Sequence, residues 1–145
     1  MIEYSLSSLL ELAKKTTFQA GSTLIEQQKS ARQVQQSHNR DVKIKGDFLS
    51  ETIIIDFLQQ HSSFPILTEE SGIIGEIDRE QYLWIVDPLD GSLNYSQGIP
   101  LCCISIALWK GVSPVLGVIF DFFREELFYG LIGEGAWLNE SAIKV

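Results

Sequence analysis

Cysteine is scarce. Of 145 residues two are cysteine, and they are adjacent, Cys102 and Cys103, where an unstrained bridge is geometrically unfavourable. They lie in an apolar segment and read as inert packing thiols. Positive charge is also short: 11 Lys and Arg against 19 Asp and Glu give a formal net charge of −8. That balance argues against a nucleic acid polymer or an anionic membrane as the main partner. A phosphate substrate would be repelled too unless cations neutralised its pocket, so the acidity favours metal-dependent chemistry over an arginine clamp. No long hydrophobic run is present. The longest, Ile99 to Trp109, is too short to span a bilayer and is interrupted by Ser105. The start, Met1-Ile2-Glu3-Tyr4, has neither the basic segment nor the apolar segment of a secretory signal. These absences predict a soluble, cytoplasmic protein. Both histidines, His38 and His61, sit in polar surroundings without a metal-ligand partner at useful spacing, and read as surface residues. Repeats and low-complexity segments are missing. What is present is ordinarily globular, 45% hydrophobic, and long enough for one domain that buries roughly two-thirds of its unfolded surface.

The most informative stretch runs from Trp84 to Tyr95, Trp-Ile-Val-Asp-Pro-Leu-Asp-Gly-Ser-Leu-Asn-Tyr. It places Asp87 and Asp90 where a buried strand breaks into a Gly-Ser helix start. Magnesium takes hard oxygen ligands in near-octahedral array, and Asp87, Asp90 and the Leu89 carbonyl can supply several from one short turn. Pro88 cannot continue a central strand's ladder, so a turn is expected there with carbonyls left to face a cation. Gly91 permits close approach of the backbone to a ligand, and Ser92 is placed to cap the following helix, whose first amides suit a phosphate oxygen. A calcium EF-hand is excluded, because Pro88 interrupts the loop and Gly98 stands where the bidentate glutamate belongs. A haloacid-dehalogenase phosphatase needs D-x-D at spacing two, which Asp87-Pro88-Leu89 does not provide.

Periodicity predicts the elements around this stretch. A long amphipathic helix is expected from Glu3 to about Lys29, weakened near Gly21, followed by a polar, mobile loop over Ser30 to Arg40. Asp47 stands at a helix start, with Phe48, Leu49, Ile53, Ile54, Phe57 and Leu58 as the apolar stripe up to about Gln60. Pro65 to Thr68 reads as a buried strand delivering Glu69, Ser71 to Glu80 as an exposed loop, and Tyr82 to Val86 as the strand delivering Asp87. Three further strands, Leu101 to Trp109, Val112 to Asp121 and Glu125 to Ile132, are joined by hairpins at Lys110-Gly111 and Phe122-Phe123-Arg124. Lys43 and Lys45 read as one solvated strand face, and Trp84 and Trp137 as core. The fold class is α+β, with long helices packed on a mostly antiparallel β-sheet.

Residues Asp87 to Tyr95 meet every defined position of D-P-(I/L)-D-(G/S)-(T/S)-x-N-(F/Y), and on them the chain resembles the inositol monophosphatase family of magnesium-dependent, lithium-sensitive phosphatases. Thr68-Glu69-Glu70-Ser71 is similar to the family's G-E-E-S, with threonine for glycine. Val42-Lys43-Ile44-Lys45-Gly46-Asp47 matches the V-T-x-x-D region, keeping the aspartate and losing the threonine. Gly133-Glu134-Gly135-Ala136-Trp137-Leu138-Asn139 resembles G-x-G-A-x-x-N-G, whose last glycine is Glu140 here.

The resemblance implies the first half of an αβαβα sandwich, residues 1–145 being the N-terminal domain, with the C-terminal α/β domain not among them. It implies magnesium held by Glu69, Asp87, the Leu89 carbonyl and Asp90, with Glu70 a second candidate beside Glu69. Catalytic roles fall on Asp47, Ser92 and Glu69, with Asp47 and Ser92 activating a water, and phosphate contacts on Gly91 and Ser92. It further implies a lysine from the loop matching Ser30 to Arg40. None occurs there, and the nearest match is Gln36. The W-D-x-A-A-G segment whose aspartate completes the metal set does not occur in these residues. The expected activity is hydrolysis of a small phosphorylated polyol or nucleotide. The rival readings are a 3′(2′),5′-bisphosphate nucleotidase, a sugar bisphosphatase, and a non-catalytic metal- or phosphate-binding module. A homo-oligomer, or a partner supplying the other half, is expected.

Overall fold

The computed structural model describes residues 4–38 and 41–144. Asn39 and Arg40, part of the expected loop, and Met1 to Glu3 at the expected helix start lie outside the described residues, as does Val145.

Helix α1, Leu6–Glu26, begins where the Ser5 hydroxyl accepts the Ser8 amide at 3.0 Å. Its buried residues, Leu9, Leu10, Ala13, Thr17, Ala20 and Leu24 among them, recur at helical spacing, so one stripe faces inward. Gly21 is part of that stripe. A Cβ there would come within 2.8 Å of the Phe122 Cβ, so the residue that looked like a weak point is where the helix meets the sheet. A single turn, α2 (Gln28–Ala31), follows.

The expected loop over Ser30 to Arg40 is instead ordered at its described residues: β1 (Val34–His38) pairs antiparallel with β2 (Asp41–Ile44). Every β1 residue is exposed, so the strand carries no apolar alternation from which it could be read. Helix α3, Lys45–His61, starts with the Asp47 carboxylate accepting the Ile44 amide at 2.7 Å. Its deepest residues are Asp47, Ser50, Glu51, Ile54 and Leu58, a stripe polar at its first turns and apolar further on. Phe48, placed in the core by the sequence pattern, is 37% exposed.

Strands β3 (Ile66–Thr68), β4 (Gly72–Ile74), β5 (Tyr82–Asp90), β6 (Cys103–Lys110), β7 (Ser113–Asp121), β8 (Glu126–Leu131), β9 (Gly135–Leu138) and β10 (Ser141–Ile143) form, among the described residues, a sheet in the order β10-β9-β8-β7-β6-β5-β3-β4. Strand β4 lies inside the segment expected to be an exposed loop. The pair β3–β5 is parallel and the other pairs are antiparallel. Pro88 does not end its strand outright: pairing with β6 breaks after Asp87 and resumes at Asp90, so Pro88 and Leu89 form a bulge. A short helix, α4 (Ser92–Ser96), follows.

Helices α1 and α3 pack together on one face of the sheet, and the core lies between. Strand β6 shows the division, with Ile104, Ile106 and Leu108 buried toward the helices and Ser105 and Ala107 on the other face. Truncating a side chain such as Leu58 to alanine in this layer would cost about 2–5 kcal/mol. Among the described residues nothing covers the opposite face, which carries an apolar groove of about 580 Å³ lined by Ala107, Gly117, Ile119, Gly130 and Ile132. Trp84 is fully buried, its indole N–H donating to Ser62 Oγ at 2.9 Å, whereas Trp137 is half-buried and stacks on Tyr129.

Candidate active site

The parallel pairing of β3 with β5 builds the site. Thr68 and Val86 are register partners, so β3 ends level with the point where β5 enters its bulge, and the next residues, Glu69 and Asp87, are delivered side by side. The first turn of α3 brings Asp47 to that edge, and the β5–α4 junction brings Ser92. Ser92 Oγ donates a short hydrogen bond to Asp47 Oδ1, and also lies 3.0 Å from the Leu89 carbonyl. Asp47 Oδ2 is taken by the Ile44 amide, so the carboxylate is fixed at both oxygens.

Burial pushes the Asp47 carboxyl above its usual range, although the Ile44 amide, Ser92 and Lys43 pull it back. Asp87 is pushed up to about 6, first by burial and then by the charges of Glu69 and Asp90, against the Leu89 amide that donates to Asp87 Oδ1 at 3.2 Å. Such a shift in a cluster of carboxylates marks a place where a cation would be welcome. Burial likewise raises Cys102 to about 12 and Cys103 to about 11, so both stay thiols near neutral pH.

The donors are all hard oxygens, which fits a magnesium-like ion. Glu69, Asp87, Asp90 and Leu89 are neighbours, yet among the described residues no three carboxylate, histidine or cysteine groups converge closely enough to hold an ion. Asp90 is exposed. Glu69 is turned to Lys43, whose Nζ lies 2.7 Å from its Oε1 and 2.7 Å from Glu70 Oε1. Lys43 is thus no member of a solvated face, whereas Lys45 is exposed. Burial pulls the ammonium down, but the two glutamates outweigh it and hold Lys43 above its usual range. Gln36 is its register partner across the β1–β2 hairpin, so a lysine reaches the cluster from the neighbouring strand.

Three further expectations change. The Pro88 carbonyl does not face open space, since Ser50 Oγ donates to it at 2.6 Å. The helix cap is Gly91, with φ 87°, and Ser92 is the first helical residue, its hydroxyl committed to Asp47 and Leu89. Gly91 owes its identity to the protein itself, because a Cβ there would lie 2.6 Å from the Leu101 carbonyl.

Glu51 was not singled out by the sequence pattern. Buried at 4% exposure, it accepts from Thr68 Oγ1 (2.7 Å), the Glu70 amide (3.0 Å), the Ser71 amide (3.1 Å) and Ser71 Oγ (2.6 Å), and so clamps the acidic turn. Its spacing of four from Asp47, on one helix face, was the available signal.

The family model for the inositol monophosphatase family matches residues 5–145. The chain belongs to the inositol monophosphatase family. An inositol-1-monophosphatase of Synechocystis sp. is 33% identical over 142 residues, covering 97% of this chain and 49% of the relative. A fructose-1,6-bisphosphatase/inositol-1-monophosphatase of Aquifex aeolicus is 31% identical over 151 residues, covering 97% of this chain and 54% of the relative. The extragenic suppressor protein SuhB of Bartonella henselae superposes with a TM-score of 0.87 at 32% identity, covering 95% of this chain and 54% of that one. The chain therefore spans about half the length of these relatives. Within this family member the signature also has a scaffold role: its last residue, Tyr95, is fully buried and donates to the Leu24 carbonyl at 2.6 Å, tying α4 to α1. Asn139 is structural as well, exchanging backbone and side-chain hydrogen bonds with Leu127. No helix among the described residues is long and apolar enough to cross a membrane.

Proposed function

We propose that this chain is the N-terminal half of a magnesium-dependent phosphomonoesterase acting on a small phosphorylated polyol. The observation that carries the reading is the Ser92–Asp47 hydrogen bond beside Glu69 at the end of β3 and Asp87 at the bulge of β5. Glu69, Asp87, Asp90 and the Leu89 carbonyl would hold the magnesium, with a carboxylate from the remaining half completing the set. Bound there, magnesium would supply Lewis acidity, lowering the pKa of water and offsetting charge on the phosphate. Ser92 Oγ, held by Asp47, orients the attacking water and accepts its proton as its own passes to the carboxylate. Burial suits Asp47 to that task by making it a better base than an exposed aspartate. The Gly91 and Ser92 amides would steady the phosphate oxygens. The uncovered sheet face is where the remaining half, or a second copy, would pack.

The Aquifex relative's name favours a second substrate class, a sugar bisphosphate, for the same site. The test is phosphate release by a form with the length of its relatives, offered inositol 1-phosphate, fructose 1,6-bisphosphate and adenosine 3′,5′-bisphosphate with and without magnesium. Magnesium-dependent release from any of them supports the phosphatase reading and ranks the substrates. Release from none leaves the chain a binding module.

A further inference from the structure

Lys43 is a cation inside the acidic cluster that the reaction above does not use. Its Nζ lies 2.7 Å from Glu69 Oε1 and 2.7 Å from Glu70 Oε1, but the two carboxylates are not equivalent. The Glu70 side chain is 9% exposed and that of Glu69 is 51% exposed. Glu70 Oε1 is buried and receives no hydrogen bond of good geometry, so the ammonium beside it is its compensation. Stripping a buried carboxylate of its counter-charge is costly, which anchors Lys43 on Glu70. Glu69 faces water and can change partners at little cost, as exposed ion pairs do. Glu69 is also the carboxylate whose turn toward Lys43 accompanies the absence, among the described residues, of a converged group of three ligands.

We infer that Lys43 is an internal counter-ion, anchored on Glu70, that holds Glu69 while no divalent ion is bound, and that ion binding is an exchange in which Glu69 leaves the ammonium for the metal. The inference rests on the magnesium reading of the cluster. An ammonium and a divalent ion compete for the same carboxylate oxygen, and the ammonium also repels the incoming charge. Lys43 therefore weakens ion binding while it stabilises the cluster without an ion. A lysine that only braces the fold would do the second and not the first.

The test uses manganese alone as probe, with free ion counted by electron paramagnetic resonance in the presence of the 145-residue chain. Lys43→Met and Lys43→Gln should each bind manganese at least about fivefold more tightly than wild type, and Lys43→Arg should not. If Lys43→Met fails to fold, Lys43→Gln carries the test, since its amide still donates to Glu70. The same neutral variants should melt lower than wild type in chelator, with the deficit shrinking at saturating manganese. Unchanged or weaker manganese binding, with an equal melting deficit in both conditions, would overturn the inference and leave Lys43 a brace. Asp87→Asn separates the two levels. If it weakens manganese binding while Lys43→Gln does not tighten it, the exchange alone is wrong. If manganese does not bind, or ignores Asp87→Asn, the metal reading falls and the exchange with it.

Discussion

Ser92 and Asp47, 45 residues apart, are joined by a hydrogen bond from the serine hydroxyl to a buried carboxylate whose other oxygen is held by the Ile44 amide. A hydroxyl so fixed orients a neighbour; it does not ligate a metal in its own right. In a form with the length of the relatives, Ser92→Ala should lower turnover by roughly 10² while magnesium affinity stays nearly unchanged. Steady-state kinetics beside calorimetry measures both. An unchanged turnover would remove the pair from water activation.

Asp87 makes stability depend on pH in a stated direction. Unfolded, it loses its proton near the ordinary 3.8; folded, near about 6. The folded state holds the extra proton between those values, so this contribution is complete below the lower one and is lost as pH rises through the upper. Glu70 and Asp47 are raised in the same sense, in both cases by burial first. In chelator, melting temperature should fall between about pH 4 and about pH 6, and less steeply in Asp87→Asn. A rise over that interval would contradict the assignment.

Gly91 combines φ 87° with a Cβ position 2.6 Å from the Leu101 carbonyl. Gly91→Ala should cost about 2–4 kcal/mol, adding backbone strain to a clash that must shift the Leu101–Cys102 segment leading into β6. Denaturant unfolding measures it, and a loss below about 0.5 kcal/mol would show that the bulge absorbs a side chain freely.

The outer sheet face exposes Ile119 at 45% and Ile132 at 61% beside the apolar groove. The isolated chain should bind a hydrophobic dye or self-associate, and Ile119→Lys should diminish both. Sedimentation as a monomer without dye binding would contradict this.

What the sequence made legible was local. Gly91 announces the break from β5 into α4, whereas Pro88 marks a bulge and not the turn expected of it, and the β6–β7–β8 hairpins follow from apolar alternation broken by Lys110-Gly111 and Phe122-Phe123-Arg124. Strand β1 stayed hidden because all five residues are exposed, and β4, β9 and β10 because three or four residues are too few to show a period. Glu51 was passed over, and Lys43 was read as solvated, for another reason. Their partners lie 17, 20 and 26 residues away, so burial and pairing come from the tertiary fold and not from spacing. The β3–β5 register sets Asp87 beside Glu69, as the strand ends led one to expect, but the hold of Lys43 on that glutamate has no local sequence signal.

The central claim is that the ends of β3 and β5 form a divalent-cation site. Calorimetric titration of magnesium into the 145-residue chain and its Asp87→Asn variant tests it most directly. Saturable binding by the wild type, reduced about tenfold or more by the substitution, is the expected result. Identical heats from the two proteins would remove Asp87 from the site and contradict the account.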